Sequence, residues 1–554
     1  MKLMECVPNF SEGRDQAVLD AIAAEIRSVN NVVLLDVDPG ADTNRTVFTM
    51  AGNPDAVVEA AFLAIKKAAQ LIDMSKHQGA HPRMGATDVC PFIPISGMTM
   101  EECAQYARQL GKRVGKELGI PVYLYEEAAN KPEWRNLATV RSGEYEALPE
   151  KAKDPAWKPD FGPHAFNAKS GATAISAREF LIAYNINLNT RDKKKAHDIA
   201  LSIRESGRAA RDENGKIIRD ANGKRVNVPG IFSHCKAVGW YIDGYDRAQI
   251  SINLTNYKIT PPHLVLDKVR ELARENGVEV TGSELVGLIP KAALLEAGKH
   301  YLTKMNESTG WPERMIMDTA IQSMGLAELA PFDLDKKVIE YAIARKDGLI
   351  RLRLDEFTDL LSTDSPAPGG GSVAALCASM SGALCSMVSN LTVDKKGYEE
   401  VQEEVLRLAP IGQDIKLRSL ECIDKDTDAF YALMDAMRLP KKTDAEIILR
   451  DAAIEAATQH AIMVPFATLE ISLEALQLAK DVAKVGNRNA LSDAGVAGLT
   501  ALAAAKAAYY NIRINMLGST DEAFKTDILP RSQEIIKQCE SLAAEVENEV
   551  LEQL

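Results

Sequence analysis

In the first half of the chain, chemistry-capable side chains are densest in His77–Ile93, HQGAHPRMGATDVCPFI. Gly79, Pro82 and Gly85 break helical geometry across its first half, so it reads as a loop running into a buried strand. A loop anchored in this way can present a side chain rigidly to a cleft. His81 precedes Pro82, which restricts it to extended conformations. A neutral imidazole there could take a proton from an attacking amine, help typically worth roughly a hundred- to ten-thousand-fold. Plain loop hydrogen bonding by His77 and His81 is the other reading, and for an arbitrary histidine the better one. Their i, i+4 spacing does not spell a zinc site, because the helix is broken and no HExxH glutamate is present. No metal is expected.

Two more polar loops end predicted strands: Val7–Gly13 with Asn9, and Asp36–Arg45 with Asp38, Asn44 and Arg45. Turn chemistry accounts for most of these residues. Gathered beside the His81 loop they would surround it, with Asp38 placed to orient a histidine as carboxylates commonly do. Within Asp160–Gly171, the run Gly162, Pro163, His164, Ala165, Phe166, Asn167, Ala168, Lys169, Ser170 and Gly171 could hold a flat heteroaromatic ring, or serve as a linker.

The second half offers two features. Gly369, Gly370, Gly371 and Ser372 open a helix whose free N–H groups and dipole suit an anion; small residues follow, so close helix packing explains them too. Ile423–Met437 is the more informative. On a helix, Ile423, Asp426, Phe430, Leu433 and Met437 share one face, while Asp424, Asp428, Tyr431 and Asp435 fall on the other. Asp426 alone interrupts the apolar stripe. Burial raises a carboxyl pKa, which fits a general acid that protonates a leaving amine. A buried Asp paired for packing is the equal alternative.

The elements that position these residues divide the chain. Strand and helix signals alternate over Lys2–Tyr125 in a β-α-β-β-α-β order that suggests a split-βαβ sandwich, and restart at Glu179–Asn276 as a second β-α-β-β-α-like unit. Two NGK turns in Arg211–Asn227 read as a protruding hairpin. From about Asp355 the signals are helical, with breaks at Pro368–Gly371, Leu439–Pro440, Gly486–Arg488 and Leu517–Ser519. The expected fold class is multi-domain α+β followed by all-α. The expected division is 1–178, 179–333, a linker at 334–353, and a long-helix bundle at 354–554.

With 554 residues, 46% hydrophobic and 26% charged, the chain is ordinary for a globular protein. Its net charge of −13 argues against general nucleic-acid or anionic-membrane binding, which needs a cationic surface. Eight scattered cysteines without a CxxC pair make a zinc ribbon or a disulfide scaffold unexpected. No leader peptide and no membrane-type stretch of about 18 uncharged apolar residues is read. A cytoplasmic location is expected.

Eight segments together resemble the formimidoyltransferase-cyclodeaminase family, in order and over nearly the full length: CVPNFSEG at Cys6–Gly13, LLDVDPGADTNRTV at Leu34–Val47, GAHPRMGATDVCPFIP at Gly79–Pro94, FLIAYNINL at Phe180–Leu188, GSELVGLIP at Gly282–Pro290, PGGGSVAA at Pro368–Ala375, DAFYALMDAMRLP at Asp428–Pro440 and DEAF at Asp521–Phe524. The resemblance implies two ferredoxin-like subdomains that move a formimino group from N-formimino-L-glutamate to tetrahydrofolate in histidine breakdown. It also implies a helical, dimeric half that cyclises the product to 5,10-methenyltetrahydrofolate with loss of ammonia. By the same resemblance, dimers assemble into an octameric ring that takes polyglutamylated folate. Carried over by motif, the transferase base falls on His81, the folate loop on Gly162–Gly171 and the cyclodeaminase aspartate on Asp426; Asn9, Asp38 and Arg45 match family segments. His164 and Asn167–Lys169 depart from the family's loop. A transferase-only enzyme with a cyclohydrolase-like helical part, or a non-catalytic folate-binding scaffold, are the other readings.

Overall fold

Leu3–Cys6 (β1) and Asn9–Phe10 (β2) are buried throughout, as central strand segments must be when helices and loops cover both faces of a sheet. The computed structural model describes residues 2–41, 43–79, 81–344 and 348–554, without the side chain of Asp243. It divides into two compact units, Met1–Ala297 with Ile321–Ala344, and Gly298–Ala320 with Arg345–Leu554.

In the first unit, β1 and β2 lie between Arg45–Gly52 (β4) and Thr87–Ser96 (β5). Val32–Gly40 (β3) pairs antiparallel with β4 at one edge. Beyond β5 follow Thr173–Ala177 (β7) and Val122–Glu126 (β6), both in parallel pairings. Helices Gln16–Arg27 (α1), Pro54–Leu71 (α2) and Met100–Arg113 (α3) cover one face. Ile22, Ile65 and Leu110 from these helices share a core with Met4, Phe48 and Phe92 of the sheet. The capping box expected from Thr99 and Glu102 opens α3: each residue accepts from the other's backbone N–H, at 3.2 Å and 2.7 Å. Val89, Tyr123 and Ala174 on the opposite face pack under Trp134, Val140 and Leu148.

The second sheet joins Ile182–Leu188 (β8), Cys235–Ile242 (β11), Arg247–Leu254 (β12) and Val280–Val286 (β13) in the order β11-β12-β8-β13, all antiparallel. Its helices are Lys193–Ile203 (α4) and Pro262–Glu275 (α5). Arg208–Ala209 (β9) and Asn227–Val228 (β10) form the neck of the expected hairpin. Within it, Asp212 Oδ1 accepts from the N–H groups of Asn214 and Lys216, and Asp220 Oδ1 repeats the pattern with Asn222 and Lys224.

Lys291–Lys304 (α6) and Glu313–Met324 (α7) follow. The second unit is dominated by Gly370–Asn390 (α8), Gln402–Met437 (α9), Asp444–Val485 (α10), Leu491–Met516 (α11) and Glu522–Gln553 (α12). Ala375, Ile415, Phe466, Leu476, Ala501 and Ile536 share its core. Small side chains on α8 and α11 let neighbouring helices pack closely. Contrary to expectation, two helices, α8 and α10, are long and apolar enough to cross a membrane; 61% of each apolar window is buried inside the protein, as in the core helices of a bundle.

Candidate active sites

The start of β5 holds a charge that the sheet buries completely. Asp88 has no solvent exposure, so its carboxylate requires partners. Its Oδ1 accepts from the Met84 N–H at 2.9 Å. Its Oδ2 pairs with Arg45 Nη1 at 2.8 Å and Arg141 Nη2 at 3.0 Å. Arg45 opens β4 and reaches across β2, where Nε and Nη2 both donate to Asn9 Oδ1 at 3.1 Å and 2.7 Å.

Arg45 Nη1 also stands 2.6 Å from His81 Nδ1, which lies 2.8 Å from the Pro82 carbonyl oxygen. These contacts exclude one another. With its proton on Nδ1 the ring donates to Pro82 and leaves the Nε2 lone pair for a ligand; with the proton on Nε2 it accepts from Arg45. Burial and then Arg45 lower the His81 pKa, so its neutral form dominates at neutral pH. Asn9, Arg45, His81, Arg141, Arg178 and Lys236 line one cavity of about 370 Å³, with Glu126 and Glu179 as its acidic side chains.

The structure brings Asn9, Arg45 and His81 together. Asp38 is exposed on β3, opposite Val47, and lines a second recess of about 230 Å³ with Glu5, Asp36 and Arg178, the last of which also lines the His81 cavity. Among the described residues, the hydrogen-bond partners of His81 are Arg45 and Pro82, so Asp38 does not orient the ring here. His77 is a loop hydrogen-bonder: Nε2 contacts the Asn44 carbonyl at 2.9 Å and Nδ1 accepts from Arg83 Nε at 3.3 Å. Sequence reasoning missed Asp88 and Arg141. A carboxylate that interrupts an apolar pattern is the signal that singled out Asp426 on its helix, and the same signal in a strand would have found Asp88. Arg141 lies in VRSGEYEALPE, where nothing in the spacing marks it.

Gly162–Gly171 is held beside β5. Gly171 has φ +67° and bridges Gly85, and a Cβ there would meet the Met84 carbonyl oxygen at 2.1 Å. Tyr145 Oη donates to the Ala168 carbonyl at 2.6 Å, Lys169 Nζ to that of Gln70 at 2.8 Å, and the Ser170 N–H to Asn167 Oδ1 at 2.9 Å. Phe166 stays 38% exposed, its ring 5.6 Å from that of Tyr145. Pro163, His164, Ala165 and Phe166 line a crevice of about 10 Å³, room for roughly one water and no ring.

In the helical unit the two features of the second half converge. The half-buried Asp426 on α9 sets its carboxylate against the N-terminus of α8. Ser372 Oγ donates to Asp426 Oδ2 at 3.1 Å. A Cβ at Gly371 would come within 2.0 Å of Asp426 Oδ1, so only glycine admits this approach. The group set against Gly371 and Ser372 is thus the protein's own Asp426 carboxyl. Burial raises the Asp426 pKa, and the Ser372 hydrogen bonds pull it back partway. Asn511 on α11 faces Gly370 across the site.

Two expectations about α9 change. Asp424 is half-buried rather than solvated, and its Oδ1 accepts from the Leu349 N–H at 2.7 Å. The apolar stripe ends early: Ile423 is buried, but Met437 is 46% exposed. Among the described residues, no group of three or more His, Cys, Asp or Glu is arranged to hold a metal.

An imidazole among cations lies in one unit and a half-buried carboxyl at a helix start in the other, so each architecture carries its own candidate site. Family models match both: formiminotransferase domain, N-terminal subdomain, matches residues 3–178, formiminotransferase domain residues 183–344, and formiminotransferase-cyclodeaminase residues 353–534. The formimidoyltransferase-cyclodeaminase of Mus musculus is 41% identical over 546 residues, 98% of each chain. The glutamate formimidoyltransferase of Streptococcus pyogenes serotype M1 is 42% identical over 54% of this chain and 93% of its own. The methenyltetrahydrofolate cyclohydrolase of Methylorubrum extorquens is 39% identical over 35% of this chain and 89% of its own. The chain belongs to the formiminotransferase-cyclodeaminase family.

Proposed function

We propose that this chain is a bifunctional folate enzyme. Its first activity transfers the formimino group of N-formimino-L-glutamate to N5 of tetrahydrofolate, releasing glutamate. Its second closes 5-formiminotetrahydrofolate to 5,10-methenyltetrahydrofolate and releases ammonia. Full-length identity to formimidoyltransferase-cyclodeaminases supports both activities.

The observation that carries the transferase reading is His81, its Nδ1 within hydrogen-bond reach of the Pro82 carbonyl, lining the same cavity as Arg45 and Arg141. With Nδ1–H on the Pro82 carbonyl, Nε2 takes the proton from N5 as it attacks the formimino carbon. The same nitrogen then returns that proton to the departing glutamate amine. Asn9 holds Arg45 in place. Asp38, in the second recess, belongs to the same reading through its motif alone. We assign Gly162–Gly171 to folate, with contact on the exposed Phe166 ring, since the crevice beneath is too small for a pteridine.

In the helical unit Asp426 is the proton carrier. N10 attacks the formimino carbon, the proton N10 loses passes to the formimino nitrogen to make it NH2, and the Asp426 carboxyl supplies the second proton as the C–NH2 bond breaks and nitrogen leaves as ammonia. The helix start at Gly369–Ser372 stabilises the carboxylate left behind.

The strand orders β3-β4-β1-β5 and β11-β12-β8-β13 support two ferredoxin-like subdomains. The division we assign is 1–178 and 179–333, with a linker at 334–353 and the cyclodeaminase at 354–554. A role in histidine breakdown, polyglutamylated folate and dimers within an octameric ring follow from the family. Exposed Ile448, Leu449 and Leu517 suit subunit contacts. Eight free thiols suit a reducing cytoplasm.

The test is to mix the purified chain with formiminoglutamate and tetrahydrofolate and follow methenyltetrahydrofolate absorbance and free ammonia. Both should appear. Accumulation of uncyclised 5-formiminotetrahydrofolate leaves only the transferase, and no turnover leaves a folate-binding scaffold.

A further inference from the structure

We infer that Arg141 is the carboxylate-binding residue for the amino-acid donor, gripping the α-carboxylate of formiminoglutamate beside His81. This rests on the transferase function proposed above and assigns a subsite within it. Two guanidinium groups, Arg45 and Arg141, share the single buried carboxylate of Asp88. That leaves one positive charge uncompensated within the network, in a cavity that a ligand can enter.

The two arginines are not equivalent. Arg45 spends its donors on the protein: Nε and Nη2 on Asn9, and Nη1 among Asp88, Pro82 and His81. Arg141 gives Nη2 to Asp88, while its buried Nε has no hydrogen-bond partner. An unsatisfied buried guanidinium N–H is costly; Nε is shut off from the cavity, so a carboxylate meets the small part of the side chain that stays exposed, and the planar fork of arginine suits it. The side chain of Arg141 is only 14% exposed and Asp88 holds one of its ends, so little ordering is left for the ligand to impose.

Location selects the α-carboxylate. Arg141 is joined through Asp88 to Arg45, which touches His81, and its charge is felt at the His81 ring. In the donor, the nitrogen carrying the formimino group is bonded to the carbon that bears the α-carboxylate. A formimino carbon held at His81 therefore keeps that carboxylate close, while the side-chain carboxylate lies further off.

Steady-state kinetics of the full chain tests this. Arg141→Gln should raise KM for formiminoglutamate at least about tenfold, as expected for a lost bidentate pair. KM for tetrahydrofolate should change less than about twofold, and Arg141→Lys should recover part of the loss. N-formimino-4-aminobutyrate, which lacks the α-carboxylate, should be a poor donor for the unsubstituted chain. Arg141→Gln should hardly distinguish it from formiminoglutamate. Normal cyclisation of supplied 5-formiminotetrahydrofolate reports that the variant is folded.

A KM increase for tetrahydrofolate instead of the donor overturns the assignment. So does a fall in kcat with donor KM unchanged, which would mean that Arg141 acts only through Asp88 on His81. Absence of transfer in the unsubstituted chain would instead remove the functional reading on which the subsite depends.

Discussion

The two candidate sites move one titratable group each, in opposite directions on the pH scale, by the same dominant cause. Burial lowers the His81 pKa and raises that of Asp426, because it disfavours whichever form is charged. Their neighbours differ. Around His81 a cation adds to the effect of burial. Around Asp426 a hydroxyl and a helix N-terminus oppose it. The α/β site is therefore built on ions, the helical site on dipoles.

Substituting the two groups separates the sites most sharply. His81→Ala should reduce transfer by roughly a hundred- to ten-thousand-fold while leaving cyclisation of supplied 5-formiminotetrahydrofolate intact, and Asp426→Asn should do the reverse. Parallel assays of the two half-reactions decide it, and an Asp426→Asn variant that still releases ammonia at the normal rate removes the general-acid role.

Gly371→Ala forces a methyl group against the Asp426 carboxylate. Overpacking of about 1–3 kcal/mol corresponds to about five- to over a hundredfold on the cyclisation rate. The transfer assay should not respond.

Profiles of rate against pH should carry limbs of opposite sense. Transfer needs neutral His81, so it falls as pH drops through a pKa below the usual 6.5. Proton donation needs protonated Asp426, so cyclisation falls as pH rises through a pKa above the usual 3.8. Ser372→Ala removes a hydrogen bond that favours the carboxylate, so the cyclisation limb should move to higher pH, by less than about one unit for a bond of about 1 kcal/mol. An unmoved limb would detach Ser372 from the titration.

The smallest effect is at Asp424. Its hydrogen bond to the Leu349 N–H predicts that Asp424→Ala lowers stability by about 1 kcal/mol in a denaturant titration, with cyclisation unchanged.

Much of this contrast was legible in the chain. Helical spacing isolated Asp426, and loop residues around His81 located the other site. The alternation of strands and helices, and the switch to helices near Asp355, follow from local pattern. What was not legible is long-range. Strand β7 joins the first sheet by parallel pairing from far along the chain, and β13 was visible only as a motif. Grouping of Gly298–Ala320 with the helical unit depends on contacts such as Ser308 Oγ to Asn390 Oδ1, which no periodicity announces. Asp424 was misplaced because a helical wheel does not include the passing backbone at Leu349. Arg141 was missed because its significance comes entirely from Asp88, which folding delivers.

The carboxylate that closes the start of α8 belongs to α9, 54 residues further along the chain. An N-terminal cap normally titrates with its own helix; here the titrating group sits on the seam between two. Spreading these helices would return the carboxylate to water and make it more acidic, while pressing them together would make it hold its proton. Proton affinity at Asp426 is thus tied to the spacing of these two helices.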